Sequence, residues 1–160
     1  MGTYAKDTSI SSELTRLEIE KTLVRYGATG FAYASQVGRA MIGFQLQGRQ
    51  VRFILPLPDI NADEFMYTPT RRTRRGEKAQ YDAWEQECRR CWRALLLVVK
   101  AKLEAIETGI SSFDSEFMAN IVLPGGKTVG DWMEPQIEQA YLTGAVPSML
   151  PMLEGGRREP

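Results

Sequence analysis

A chain of 160 residues with 43% hydrophobic and 25% charged content can bury one ordinary core without disulfides or metal, which excludes wholesale disorder and the fibrous classes. Its 20 basic residues balance its 20 acidic ones, so bulk charge points to no partner. The absence of histidine excludes Ser-His-Asp and Cys-His catalysis and imidazole-built metal centres.

Residues 1–10 carry little pattern and are expected to form a flexible arm; residues 11–153 are read as a single domain and 154–160 as a flexible tail. Ser11 or Ser12 is placed to cap a first helix, whose stripe Leu14, Leu17, Lys21 and Val24 runs beside Ile19, Leu23 and Tyr26. Gly27 is suited to end it in a left-handed conformation.

From Gly30 to Leu57 the period becomes two. Ala40, Ile42, Phe44 and Leu46 alternate with polar neighbours, as do Val51, Phe53 and Leu55, and Gln47-Gly48 suits a two-residue hairpin turn. That turn sets Leu46 against Arg49, Phe44 against Val51, Ile42 against Phe53 and Ala40 against Leu55. A second turn at Val37-Gly38 sets Tyr33 against Ile42 and Phe31 against Phe44. The result is a three-stranded antiparallel meander with one apolar face and a wetter face carrying Gln45, Gln47, Gln50 and Arg52.

Pro56 and Pro58 end the third strand, and 59–78 lacks periodicity, so it reads as a long basic loop with Arg71, Arg72, Arg74, Arg75 and Lys78. A long helix over 77–108 follows. Tyr81, Trp84, Cys88, Trp92, Leu95, Val99, Leu103 and Ile106 form its core stripe. Its run 94–99 is apolar on every side, predicting cover all round, yet is too short to span a bilayer; no membrane partner is expected. Arg89, Arg93 and Lys100 share another face, with Arg90 adjacent and Glu85 one turn before Arg89.

Cys88 and Cys91 have CxxC spacing. With no histidine and no second cysteine pair they cannot complete a structural zinc site in one subunit, and they read as buried helix cysteines. Acidic pairs such as Glu104 with Glu107 and Asp114 with Glu116 read as solvated faces, so neither a catalytic residue nor a metal or cofactor is assigned.

Gly109 ends the long helix, and Ser111 or Ser112 caps a short one holding Phe113, Phe117 and Met118. The Gly126-Lys127-Thr128 sequence invites comparison with a phosphate loop, but Ile121 stands where such a loop needs its first glycine. Thr128 and Asp131 instead have the spacing of a capping box, with Trp132 and Met133 turned inward and a break expected at Pro135 before a last helix over 135–142. The tail beyond it holds Val146, Met149, Leu150, Met152 and Leu153, which are expected to dock on the domain or a neighbouring subunit.

The stretches 25–31 (Arg-Tyr-Gly-Ala-Thr-Gly-Phe), 92–105 and 122–132 resemble a group of small uncharacterised bacteriophage and mobile-element proteins. The order of helix, meander and long basic helix is similar, in topology alone, to phage single-strand annealing proteins of the Erf type. The first resemblance transfers no activity; the second implies a role in recombination and transfers no catalytic residue. With no run long enough to span a bilayer and no basic-then-apolar signal sequence, the chain is expected in the bacterial host cytoplasm.

These readings combine into an α+β domain with an N-terminal helix, a three-stranded antiparallel meander, a long central helix and short C-terminal helices. It is expected to be a non-catalytic phage accessory protein that binds nucleic acid, in particular single-stranded DNA, and self-associates. Arg71, Arg72, Arg74, Arg75 and Lys78 of the loop, with Arg89, Arg90, Arg93 and Lys100 of the helix, would neutralise phosphates, and Tyr67 or Tyr81 would stack on a base. The alternative is a phage-encoded inhibitor that engages a host or defence protein through the acidic C-terminal portion.

Overall fold

The computed structural model describes residues 3–146, with side chains from Ser12 onward. The predicted docking of Met149, Leu150, Met152 and Leu153, and the tail 154–160, lie outside the described residues. The elements run α1 (Thr3–Arg25), β1 (Thr29–Gln36), β2 (Arg39–Leu46), β3 (Arg49–Pro56), α2 (Asp63–Met66), α3 (Glu77–Glu107), α4 (Phe113–Phe117), a single 3-10 turn (Met118–Asn120) and α5 (Val129–Thr143). This is the expected α+β order.

The three strands form a meander in the order β1-β2-β3. Gln47 and Gly48 both take positive φ, 49° and 73°, the pair of left-handed residues that lets a two-residue turn follow the twist of its strands. The register between β2 and β3 is the predicted one, from Leu46 opposite Arg49 to Ala40 opposite Leu55. Tyr33 faces Ile42 as expected, but an irregularity between Thr29 and Ala32 removes the strict pairing of Phe31 with Phe44. Gly30, at φ 62°, sits in that irregularity, and the two rings still lie 6.1 Å apart.

Ala40, Ile42, Phe44, Leu46, Val51 and Phe53 are all buried on one sheet face. On that face α1 and α3 lie side by side and run in the same direction, because Ser12 touches Glu85, Glu18 touches Lys100 and Tyr26 touches Glu107. Trp92, Leu95, Leu96, Val99 and Leu103 of α3 complete the core with Ile19 and Leu23 of α1. Phe117 of α4 is fully buried and meets Phe44 and Phe53 edge-on and Phe113 at 5.1 Å.

Five expectations are corrected. Helical backbone runs from Thr3, so neither Ser11 nor Ser12 caps the first helix. The stripe Leu14, Leu17 and Val24 faces solvent, while Ile19, Thr22 and Leu23 are buried; Lys21 marks that stripe as the outer one. The 94–99 run is not covered all round, since Leu97 is 62% and Val98 44% exposed. Pro135 does not break the last helix, which runs unbroken from Val129 to Thr143. Pro135 is exposed, so water can satisfy the carbonyl its missing N–H leaves unpaired. Trp132, expected inward, is also exposed.

Candidate nucleic-acid interface

The predicted loop is built. Phe65 of α2 is buried, Trp84 Nε1 donates to the Pro58 carbonyl at 2.8 Å and Gln80 Nε2 donates to the Ile60 carbonyl at 2.8 Å. These bonds pin the start of the segment to α3, satisfying backbone groups that would otherwise be stranded. Beyond α2 the chain makes a tight reversal: Tyr67 bridges Arg74, Thr68 N–H donates to Thr73 O at 2.9 Å, and Arg72 N–H donates to Thr68 O at 3.0 Å. Arg72 takes a positive φ of 47° at the tip, an unusual conformation for a non-glycine residue.

Arg71, Arg72 and Arg74 are exposed on this reversal, and among the described residues none has a carboxylate partner. The Arg74 guanidinium lies 5.8 Å from the Tyr67 ring centroid. Arg75 is turned back, its Nη1 donating to the Glu64 carbonyl at 3.2 Å. Lys78 is exposed in the first turn of α3. A shallow cleft of about 610 Å³ beside Tyr67 is lined by Asp63, Glu64, Thr68, Pro69 and Arg72.

The helix residues stand apart from this cluster. Arg89 begins its stripe three turns into α3, roughly 18 Å along the axis from the first residue of that helix. Arg90 Nε donates to both Glu87 oxygens, at 2.9 and 3.0 Å, and Lys100 Nζ donates to Glu18 Oε1 at 2.8 Å. Arg89 is half-buried with an Nε that has no hydrogen-bond partner, and its charge acts on Glu85. Arg93 is exposed and its charge helps to hold the Glu18 carboxyl below the usual carboxylate range, an effect led by Lys100. The nine predicted cations therefore form two groups. In the helix group two of the four side chains are already engaged by carboxylates.

Of the two predicted stacking residues, Tyr67 lies beside the arginines, whereas Tyr81 packs against Trp84 at 5.5 Å. The acidic residues considered for catalysis have separate attachments. Glu107 accepts from Tyr26 at 2.6 Å, Asp114 lies 3.6 Å from Arg49 and Glu116 lies 3.9 Å from Lys102. Among the described residues no three His, Cys, Asp or Glu side chains are grouped to hold a metal ion. Cys88 is buried and its thiol is pushed up to about 12, first by burial and then by the Glu85 charge, so at neutral pH it is not a thiolate. Cys91, expected buried, is only half-buried.

The sequence pointed to the acidic C-terminal portion as a partner surface but not to one unbroken exposed helix with Trp132 turned outward. Thr128 and Asp131 make the predicted reciprocal capping box, yet α5 buries none of its residues and exposes Trp132, Ile137, Tyr141 and Leu142 alongside Asp131, Glu134 and Glu138. The available signal was low amphipathicity: Trp132, Ile137, Tyr141 and Leu142 are spread around the helix, so no single face could bury them all. No family model, curated protein or solved structure matches the chain.

Proposed function

We propose that this protein is a non-catalytic nucleic-acid-binding accessory factor of the phage kind, contacting single-stranded DNA through the arginine reversal at 67–75. The observation that carries this reading is the grouping of Arg71, Arg72 and Arg74, exposed and without carboxylate partners, beside a half-exposed Tyr67 on a base tied to α3. Three guanidinium groups on one turn neutralise neighbouring phosphates and release their counterions, and each offers a planar donor fork to phosphate oxygens. Tyr67, already under the Arg74 guanidinium, supplies a ring face on which a base can stack.

The test is fluorescence anisotropy of a labelled single-stranded oligonucleotide titrated with the full chain at low and raised salt. The reading expects binding that weakens steeply with salt and that Tyr67→Ala reduces at constant salt. Binding that is absent at low salt, or indifferent to Tyr67→Ala and to salt, overturns it.

A second reading is favoured by α5. A helix of this length with no buried residue gains little from tertiary packing, and its aromatic and aliphatic side chains beside carboxylates suit a protein partner with a basic, partly apolar surface. On that reading the chain is an inhibitor of a host or defence protein. Recovery of one host protein after nuclease treatment, lost on Ile137→Glu, would support it over the first.

A further inference from the structure

The outer face of α3 presents residues that the core does not use, and they recur at a spacing of three and four: Arg90, Ala94, Leu97, Ala101 and Glu104 are all exposed. This is the spacing of a seam along which a helix packs on another helix. Leu97 at its centre is 62% exposed and Val98 beside it 44%. The neighbouring helix adds to the same side of the molecule. Leu14, Leu17 and Val24 of α1 are exposed, and since Glu18 pairs with Lys100 across the two parallel helices, Leu17 stands level with Leu97 to within a turn.

The seam is antisymmetric about Leu97. Its cation, Arg90, lies two turns before the leucine and its anion, Glu104, two turns after; Ala94 and Ala101 flank the leucine one turn to either side. A second copy laid antiparallel on this seam therefore puts Leu97 against Leu97, each Ala94 against Ala101, and each Arg90 against Glu104. The two alanine layers allow close approach of the backbones, and the leucine pair fills the centre. Glu87 takes only the Nε and Nη2 edge of Arg90, which leaves Nη1 donors for a partner carboxylate. A two-fold axis perpendicular to the helices also stacks α1 on α1, covering Leu14 and Leu17.

We propose that the α1–α3 layer is a homodimer interface, an isologous four-helix contact centred on Leu97 whose occupant is a second copy of this chain. The charge order along the seam is what selects that occupant. A seam with its cation at one end and its anion at the other is matched by its own reversal. The α5 surface is not: its charged side chains, Asp131, Glu134 and Glu138, are all acidic and would repel a second α5. The proposal also accounts for the position of Arg90, which serves an interface and is not counted toward the DNA contact.

Sedimentation equilibrium of the full chain, freed of nucleic acid by nuclease digestion and a high-salt wash and then returned to moderate salt where the ion pairs are not screened, tests this. A dimer is expected for the natural chain. Leu97→Glu should raise its dissociation constant by roughly a hundredfold or more, since it sets two carboxylates face to face at the axis. Because Leu97 is exposed in the protomer, the circular dichroism of that variant should match the parent. Arg90→Glu alone should weaken the dimer, and adding Glu104→Arg should restore it by reversing both pairs together. A natural chain that stays monomeric, or a dimer unaffected by Leu97→Glu but dissociated by Ile137→Glu, overturns the proposal. Neither result bears on the arginine reversal, whose DNA affinity is read separately.

Discussion

Lys100 Nζ lies 2.8 Å from Glu18 Oε1, and this contact fastens the C-terminal half of α3 to α1 on the side that the sequence marks as a cationic face. The hydrogen bond to Lys100 and its charge hold the Glu18 carboxyl below the usual carboxylate range. Lys100→Ala should move the Glu18 titration back up toward an ordinary carboxylate, as followed by carbon-detected NMR of the side chain. Both side chains are about half exposed, so the fold should be retained. An unshifted Glu18 in the variant would mean that the pair does not persist in solution.

Phe117 is the most enclosed large side chain, touching Phe44, Phe53 and Phe113. Phe117→Ala should cost about 3–5 kcal/mol in chemical unfolding, through lost burial and the cavity left among rigid rings. A loss below about 1 kcal/mol would indicate that α4 does not close the core.

Gly130 holds α5 against the 3-10 turn, because a Cβ there would come within 2.9 Å of the Ala119 carbonyl oxygen. That neighbour is backbone and cannot swing aside. Gly130→Ala should destabilise the chain by about 1–3 kcal/mol and change the near-ultraviolet signal of Trp132. Thermal melts and spectra identical to the parent would show that the close approach is not kept.

Glu85 is buried, and burial holds its carboxyl above the usual carboxylate range; the Ser12 hydroxyl donating to it and the Arg89 charge offset this only in part. The folded state thus binds the Glu85 proton more tightly than the unfolded chain does. Stability from this group is greatest below its unfolded pKa and falls as pH rises through its folded pKa. Glu85→Gln should remove that fall, matching the parent in acid and exceeding it near neutrality. A variant less stable than the parent at neutral pH would show that the ionised carboxylate is a net stabiliser through Arg89.

The meander was legible because two short turns fixed it: Gln47-Gly48 set the register from Leu46 to Ala40 without error, and only the Gly30 irregularity displaced Phe31. The span of α3 was legible from its unbroken periodicity and from Gly109. What sequence could not supply were contacts made at long range. Nothing near Lys100 announces Glu18, which is 82 positions away, so the lined-up cations of α3 look free when only the helix is considered. The order of 59–76 was hidden for the same reason, since Trp84 and Gln80 reach back to Pro58 and Ile60 from another element. An apolar run such as 94–99 implies burial, but it does not distinguish burial within the chain from a surface kept for a partner.

The two groups of cations can be separated directly by comparing, over a range of salt, the single-stranded DNA affinity of two alanine variants: one at Arg71, Arg72 and Arg74, the other at Arg89, Arg93 and Lys100. The first variant is expected to bind at least about tenfold more weakly, with a salt dependence shallower by roughly two in the log–log slope, the share of three phosphate contacts on a single strand, while the second binds as the parent does. A first variant with parental affinity and slope would contradict the proposed DNA contact.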